Sequence, residues 1–333
     1  MLERLEGKAL VTGASGFVGS HVREALLARG LDVLAIRRPG SPPARVGRSV
    51  EATYEDLEGL VALMAREKPD YVFHVAGVTK GRTYLDFASG NVLPTRNLLR
   101  ALVRAGVTPK RFVHVSSLAA WGPSSPARPV TEDDPPRPVE HYGRSKLESE
   151  RALEEFAEIP STIIRPAAVF GPRDVDYLNL FDGAHKGFDL YFGNADKLKS
   201  AVYVADLVDA ILRAAVADAA VGRAYFVAHE EIVSWRTFQQ WIVEATPRKK
   251  AWSVNFPSVV VDVAALGGEL LTRFDGKPRL FNRQKAIMGA QEAWTCSVER
   301  AKRELDFVAR TPLRDAVFAT AEWYRREGWI KGA

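Results

Sequence analysis

A short apolar run, Lys8-Ala9-Leu10-Val11-Thr12, passes directly into Gly13-Ala14-Ser15-Gly16-Phe17-Val18-Gly19. Beyond it Phe17, Val18, Val22, Leu26 and Leu27 recur at helical spacing, with Gly30 as a stop signal. Strand, glycine turn and helix in that order constrain the fold more than any other feature of the chain. Glycines let a backbone approach a pyrophosphate, and a helix start offers N–H groups and a positive dipole end to the anion. Gly13, Gly16 and Gly19, with Ser15, Phe17 and Val18 between them, are therefore candidate dinucleotide contacts. An ordinary glycine-rich strand-to-helix turn has the same local look, so the rest of the chain has to decide.

Strand-like runs recur at Asp32–Arg37, 71–76, 111–116 and 161–165, with helical stretches at 57–66, 84–105 and 142–157 between them. Such alternation predicts a parallel sheet with helices on both faces, whose ligands bind at the carboxyl ends of the strands. One rim then carries Gly13 to Gly19, Arg37, Ala76-Gly77 and Ser116-Ser117. Proline and glycine clusters at 123–138 and 171–193 read as long loops. The chain is expected to leave the sheet after Arg165, return through 202–215 and 224–227, and build a helical cap from the rest. This divides it into a dinucleotide-binding part, 1–165 with 200–228, and a substrate-binding part, 166–199 with 229–333.

Tyr142 and Lys146 stand one helical turn apart and so share a helix face. A hydride moving between an alcohol carbon and a nicotinamide leaves an oxygen that must lose or gain a proton. A free tyrosine, with a pKa of about 10, is a poor base at neutral pH, and a nearby ammonium favours its phenolate.

With these elements in place the chain resembles the extended short-chain dehydrogenase/reductase superfamily, in its epimerase/dehydratase-like branch. The resemblance rests on Thr12-Gly-x-x-Gly-x-x-Gly19, Asp56-Leu57, His74-Val75-Ala76-Gly77, Asn91 leading into Asn97-Leu98-Leu99, and Val115-Ser116-Ser117. It continues through Tyr142-x-x-x-Lys146, Arg165-Pro166-x-x-Val169-Phe170-Gly171-Pro172 and Tyr203-Val204-Ala205-Asp206. It implies a Rossmann-type doubly wound α/β fold with a smaller, mainly helical C-terminal part. It also implies Tyr142 as general acid/base, Lys146 on the nicotinamide ribose, and Ser117 orienting the substrate oxygen. Asp56, Leu57, Val75, Ala76, Gly77, Arg165 and Pro166 join the cofactor contacts. Two positions depart from the family pattern: Gly77 ends a motif that usually ends in alanine, and Trp121 replaces a tyrosine.

The second strand ends in Arg37-Arg38, where an NAD site would place an acidic residue; arginine suits the 2′-phosphate of NADP. NADP is the preferred cofactor, and NAD stays open because relatives without the acidic residue still use it. Asp56 matches the family's adenine-contacting aspartate and equally suits a helix N-cap.

The composition, 47% apolar and 26% charged, is ordinary for a soluble globular protein, and 333 residues suggest a main domain and a smaller one. The formal net charge of +5 is scattered rather than striped along one helix, which argues against nucleic acid. One cysteine, Cys296, allows no intramolecular disulfide and no cysteine zinc cluster, and fits a reducing cytoplasm. The six histidines show no metal-ligand spacing, so no metal is expected. The charged N-terminus lacks a secretory pattern. The apolar stretch 256–271 is too short and too charged to span a bilayer, and reads as an amphipathic helix over the substrate pocket or a membrane-surface contact.

A small-molecule substrate is expected, of one of two kinds. The stretch 266–285 resembles the 3β-hydroxysteroid dehydrogenase and dihydroflavonol reductase-like branch, and with Arg37 it points to a dehydrogenase or reductase of a largely apolar hydroxyl or ketone. The look of Gly171-Pro172-Arg173 and a basic set of Lys80, Arg82, Lys197 and Lys199 points instead to a nucleotide-sugar epimerase or dehydratase. Against that, Lys199-Ser200 replaces the family's arginine-aspartate pair, and Leu118 stands where a dehydratase needs an acid. Lys80, Ser117, Ala168 and Lys199 are the candidate substrate residues. A cofactor-sensing regulator would be expected to have lost Tyr142 or Lys146. Helices 84–105 and 142–157 pair across dimers in many relatives, which allows a homodimer.

Overall fold

The computed structural model describes residues 5–40, 46–192, 194–248, 250–256 and 283–330. Seven strands form one parallel sheet: β1 (Lys8–Thr12), β2 (Asp32–Arg37), β3 (Arg48–Glu51), β4 (Tyr71–His74), β5 (Arg111–Val115), β6 (Ser161–Pro166) and a last strand, Arg223–Val227. Their order across the sheet is β3, β2, β1, β4, β5, β6 and the last strand. The order reverses between β1 and β4, so the chain leaves those two strands in opposite directions and a crevice opens outside their carboxyl ends. Register pairs Thr12 with Ile36 on one side and with His74 on the other.

The inner strands are buried on both faces, and β5 is buried at each of its five positions. Helix α1 (Phe17–Leu27) covers one face through Val22 and Leu26, together with the helix Val204–Val216. Helix α2 (Leu57–Glu67) covers the other through Leu60, Leu63 and Met64. Each fully buried leucine contributes roughly 1.5–3 kcal/mol.

Three expectations change here. The stretch 84–105 is not one regular helix: α3 (Tyr84–Phe87) and α4 (Leu93–Arg104) flank a π-helical turn, Ala88–Val92. Strand β3 lies in a stretch that gave no strand signal, because Arg48-Ser49-Val50-Glu51 is a mostly polar edge strand. The stretch 171–193 is not a plain loop: it holds helix α6 (Leu178–Lys186), which follows α5 (His141–Glu154), and a further strand, Phe188–Phe192.

The C-terminal part keeps a core of its own, with Phe170, Phe181, Phe238, Leu313, Val317 and Tyr324 fully buried together. Its later helices are Trp235–Glu244, Arg283–Ala290, Glu299–Leu305 and Leu313–Arg326, and short two- and three-stranded ribbons accompany them. Most of the stretch 256–271, and most of 266–285, lies outside the described residues. Among the described residues no helix is long and apolar enough to cross a membrane, and no cluster of histidine, cysteine or carboxylate side chains could hold a metal ion.

Candidate active site

The crevice beyond β1 and β4 is a cavity of about 770 Å³. Gly13 sits at φ +67°, and a Cβ there would lie 2.7 Å from the backbone nitrogen of Ala76. A Cβ on Gly19 would lie 2.1 Å from the Gly13 carbonyl oxygen, so a side chain at either position would force the turn apart. Helix α1 opens on Gly16 with no capping side chain and no acidic residue in its first turn, leaving its N-terminal end suited to an anion. These residues fit the pyrophosphate of a dinucleotide. The Thr12 hydroxyl oxygen accepts from the Ala76 N–H at 3.1 Å and lies 2.7 Å from His74 Nδ1, tying the ends of β1 and β4 together. Burial pushes His74 down to about 3, so it stays neutral.

Gly13, Ser15, Gly16, Phe17, Val18 and Gly19 line the cavity, as do Arg37, Val75, Ala76, Gly77 and Pro166. So do Ser117, Tyr142 and Lys146. Helix α5 starts on Glu140, whose carboxylate accepts from the backbone N–H groups of Tyr142 and Gly143, each at 2.6 Å. A Cβ on Gly143 would lie 2.2 Å from the carbonyl oxygen of Ala119, so the absence of a side chain lets α5 seat directly on the Ser117 loop. That contact sets Tyr142 beside Ser117, and both line the cavity. Lys146 Nζ donates to the Val115 carbonyl at 2.7 Å and lies 3.6 Å from where a Cβ on Gly77 would stand.

The π-helical turn has its purpose here. Asn91 Nδ2 donates to Ser145 Oγ at 2.8 Å and Oδ1 accepts from the Val78 N–H at 2.8 Å, while Ser145 Oγ donates to the Tyr142 carbonyl at 2.7 Å. The widened turn points Asn91 inward and latches the loop after β4 to the helix that carries Tyr142. Burial pushes the Tyr142 hydroxyl up to about 12, against a smaller downward pull from Ser117. Burial also pushes Lys146 down to about 8, against the attraction of Glu150.

Other expected site residues lie off the cavity lining. Arg165 is buried behind the serine loop, where its guanidinium pairs with Glu150 at 2.7 Å and stacks 3.5 Å from the centre of the Trp121 ring. The departure at Trp121 thus supplies a platform for Arg165, which is occupied without a cofactor. Asp56 caps α2 by accepting from the Gly59 N–H at 2.9 Å, and Leu57 packs into the core beneath; Thr53, Tyr54 and Glu55 face the cavity in their place. Lys80 pairs with Asp176 at 2.8 Å on the surface. Ala168 sits between the lining residues Ala167 and Val169. Lys199 is enclosed by aromatic rings, 3.4 Å from the centre of Phe238 and 4.1 Å from that of Trp235, and burial holds its amine well below the usual lysine range.

The structure adds residues that sequence reasoning missed. Glu140 and Gly143 bracket Tyr142, and an acidic residue just before a helical run was a legible start signal. Asp174, Val175, Asp176 and Tyr177 also line the cavity, from a stretch whose only sequence signal was that of a long loop.

A model of the NAD dependent epimerase/dehydratase family matches residues 9–228, nearly two thirds of the chain. The chain belongs to the NAD dependent epimerase/dehydratase family. As a member it is an NAD(P)-dependent enzyme of the extended short-chain dehydrogenase/reductase superfamily. It is similar to sterol demethylase protein B of Methylococcus capsulatus, with 30% identity covering 96% of this chain and 99% of that one. It is also similar to the 4-hydroxy-2-methyl-3-oxo-4-farnesyl-3,4-dihydroquinoline-1-oxide ketoreductase of Stigmatella aurantiaca, with 30% identity over 91% of this chain and 92% of that one. A UDP-glucose 4-epimerase of Mycolicibacterium smegmatis is 31% identical, over 62% of this chain and 72% of the epimerase.

Proposed function

We propose that this enzyme transfers hydride between NADP and a hydroxyl or ketone of a small, largely apolar substrate, with net oxidation or reduction in each cycle. The observation that carries this reading is the charge of the cavity wall. Its substrate end is formed by Asp174, Val175, Asp176 and Tyr177, whereas the cations on the described lining are Arg37, Arg38 and Lys146. A nucleotide sugar brings a second diphosphate, which nearby cations would favour, and the basic set of Lys80, Arg82, Lys197 and Lys199 lies off that lining. Lys80 is paired with Asp176, and Lys197 is bonded to the carbonyl of Gly289. Of the relatives above, those that span more than nine tenths of this chain are named for a sterol demethylation and for a ketoreductase of a farnesylated quinoline. The nucleotide-sugar reading is supported by the shorter match to the epimerase and by the solved structure of MoeE5 with UDP-glucuronic acid and NAD, 26% identical over 96% of this chain with a TM-score of 0.77.

When bound, the nicotinamide supplies or accepts the hydride. Tyr142 gives its proton to the carbonyl oxygen in reduction and takes it from the alcohol in oxidation, while Ser117 holds that oxygen beside it. Lys146 would hold the nicotinamide ribose, and its charge stabilises the phenolate left on Tyr142. Arg37 and Arg38 would hold the 2′-phosphate, with Arg37 braced by Glu51 at 2.5 Å.

Purified protein freed of bound cofactor, supplied with NADPH and a panel of medium-chain ketones, tests this reading. Absorbance at 340 nm is expected to fall in step with alcohol formed, faster with NADPH than with NADH. Isomerisation of a UDP-hexose with no net change at 340 nm, by protein that keeps its nicotinamide through gel filtration, would overturn it.

A further inference from the structure

Asp174 stands on the cavity lining and is nevertheless only 3% exposed. Its Oδ1 accepts from the backbone N–H groups of Asp176 at 2.8 Å and of Tyr177 at 3.5 Å. Its Oδ2 is buried and has no hydrogen-bond partner among the described residues. A buried carboxylate oxygen left without a donor is costly, and such groups in native proteins call for an explanation. The backbone around it is firmly held. The Tyr324 hydroxyl donates to the Asp174 carbonyl at 2.5 Å, and Asp176 is drawn outward by Lys80. Arg173, at φ +73°, reaches back to α1, donating to Ser20 Oγ at 3.1 Å and pairing with Glu24 at 2.9 Å. Only Oδ1 of the carboxyl is held, so Oδ2 is the oxygen left to meet a bound molecule, and Val175 and Tyr177 give it apolar neighbours on the wall.

We propose that Asp174 is a substrate-binding residue whose free carboxylate oxygen accepts a hydrogen bond from a second hydroxyl on the substrate, remote from the reacting carbon. This rests on the reading of the cavity as the site of an apolar alcohol or ketone, and narrows that substrate to an amphipathic one with two oxygen functions. The same carboxylate repels an anionic group at that place. Burial raises Asp174 to about 6, which leaves it mostly ionised and a strong acceptor near neutral pH.

The test is binding of ten-carbon probes to the NADP-loaded enzyme by calorimetry: decan-2-ol against decane-1,2-, 1,3- and 1,4-diol. At least one diol is expected to bind about tenfold or more tightly than decan-2-ol. That advantage over decan-2-ol, compared within each protein, should be lost in Asp174→Leu and fall at least threefold in Asp174→Asn. Thermal melting checks folding, and Asp174→Asn, which keeps an acceptor for the two backbone N–H groups, decides alone if the leucine variant does not fold. A diol advantage that survives both substitutions, or the absence of any diol advantage in the unaltered enzyme, would overturn the proposal. NADP reduction by the same probes is read in parallel. Asp174-dependent binding with no nicotinamide reduction would count against the redox reading while leaving the role of Asp174 in place.

Discussion

Burial acts on Tyr142 and Lys146 in opposite senses, lifting the phenol to about 12 and lowering the amine to about 8. Near neutral pH the pair is therefore a protonated phenol with an ammonium one helical turn away, the state that hands a proton to a carbonyl oxygen. Tyr142→Phe keeps the ring and removes the proton, so turnover should fall about 10²–10⁴-fold, with NADPH affinity changed little. Steady-state rates and a fluorescence titration check this, and near-normal turnover would remove Tyr142 from the chemistry. Asp174 gives a prediction of another kind. Its folded-state pKa is raised, so the native protein holds that proton more tightly than the unfolded chain does. The destabilisation grows as pH rises from the ordinary carboxylate range, about 4, through about 6, and is complete above that. Asp174→Asn should therefore raise the melting temperature at pH 7.5 by a few degrees, corresponding to about 1–3 kcal/mol, with the difference closing near pH 4. Scanning calorimetry at the two pH values reads it, and equal melting temperatures at pH 7.5 would show that the buried oxygen carries no cost. Tyr142 and Lys146 could be read from the sequence because their relation is a fixed local spacing. The roles of Asp174 and Arg165 could not, because the partners that define them, Tyr324 and Glu150 with Trp121, meet them only in the folded chain.

At the scale of elements, the site depends on how closely α5 approaches the serine loop. Gly143 permits that approach, and an added methyl would meet the Ala119 carbonyl at 2.2 Å, a backbone atom that cannot swing aside. Gly143→Ala should displace Tyr142 relative to Ser117 and lower kcat at least about tenfold, since misplacements near 1 Å cost up to about 10²-fold. NADPH affinity should stay within about threefold, because the Gly13–Gly19 turn lies on another element. Unchanged kcat would mean that α5 and the loop adjust without loss. The strands and most helices were legible because their hydrophobic patterns are strong: Asp32–Arg37 stands as expected, and β4, β5 and β6 differ from the expected runs only at their ends. The π-helical turn was not legible, because Ala88–Val92 continues a helical pattern and its widening is set by the bonds of Asn91 to Val78. Strand β3 escaped for the opposite reason, since a polar edge strand carries little hydrophobic signal.

For the whole molecule, the parallel sheet places the Gly13–Gly19 turn, the Ser117 loop and Tyr142 around one cavity, and the C-terminal part closes its other side with residues 174–177. The first half of that arrangement follows from strand–helix alternation, whereas the second depends on packing between distant segments, which one sequence does not display. Hydride is proposed to pass between the nicotinamide and an apolar substrate and to leave with the product. The most direct measurement of this transfer uses NADPH carrying deuterium at both C4 positions, supplied with a ketone substrate and followed by mass spectrometry. One deuterium is expected at the carbinol carbon of the released alcohol for each NADPH consumed, with loss of that label transfer in Tyr142→Phe. Conversion of a nucleotide sugar with no NADPH consumed, the product keeping its own hydrogen at the reacting carbon, would contradict it.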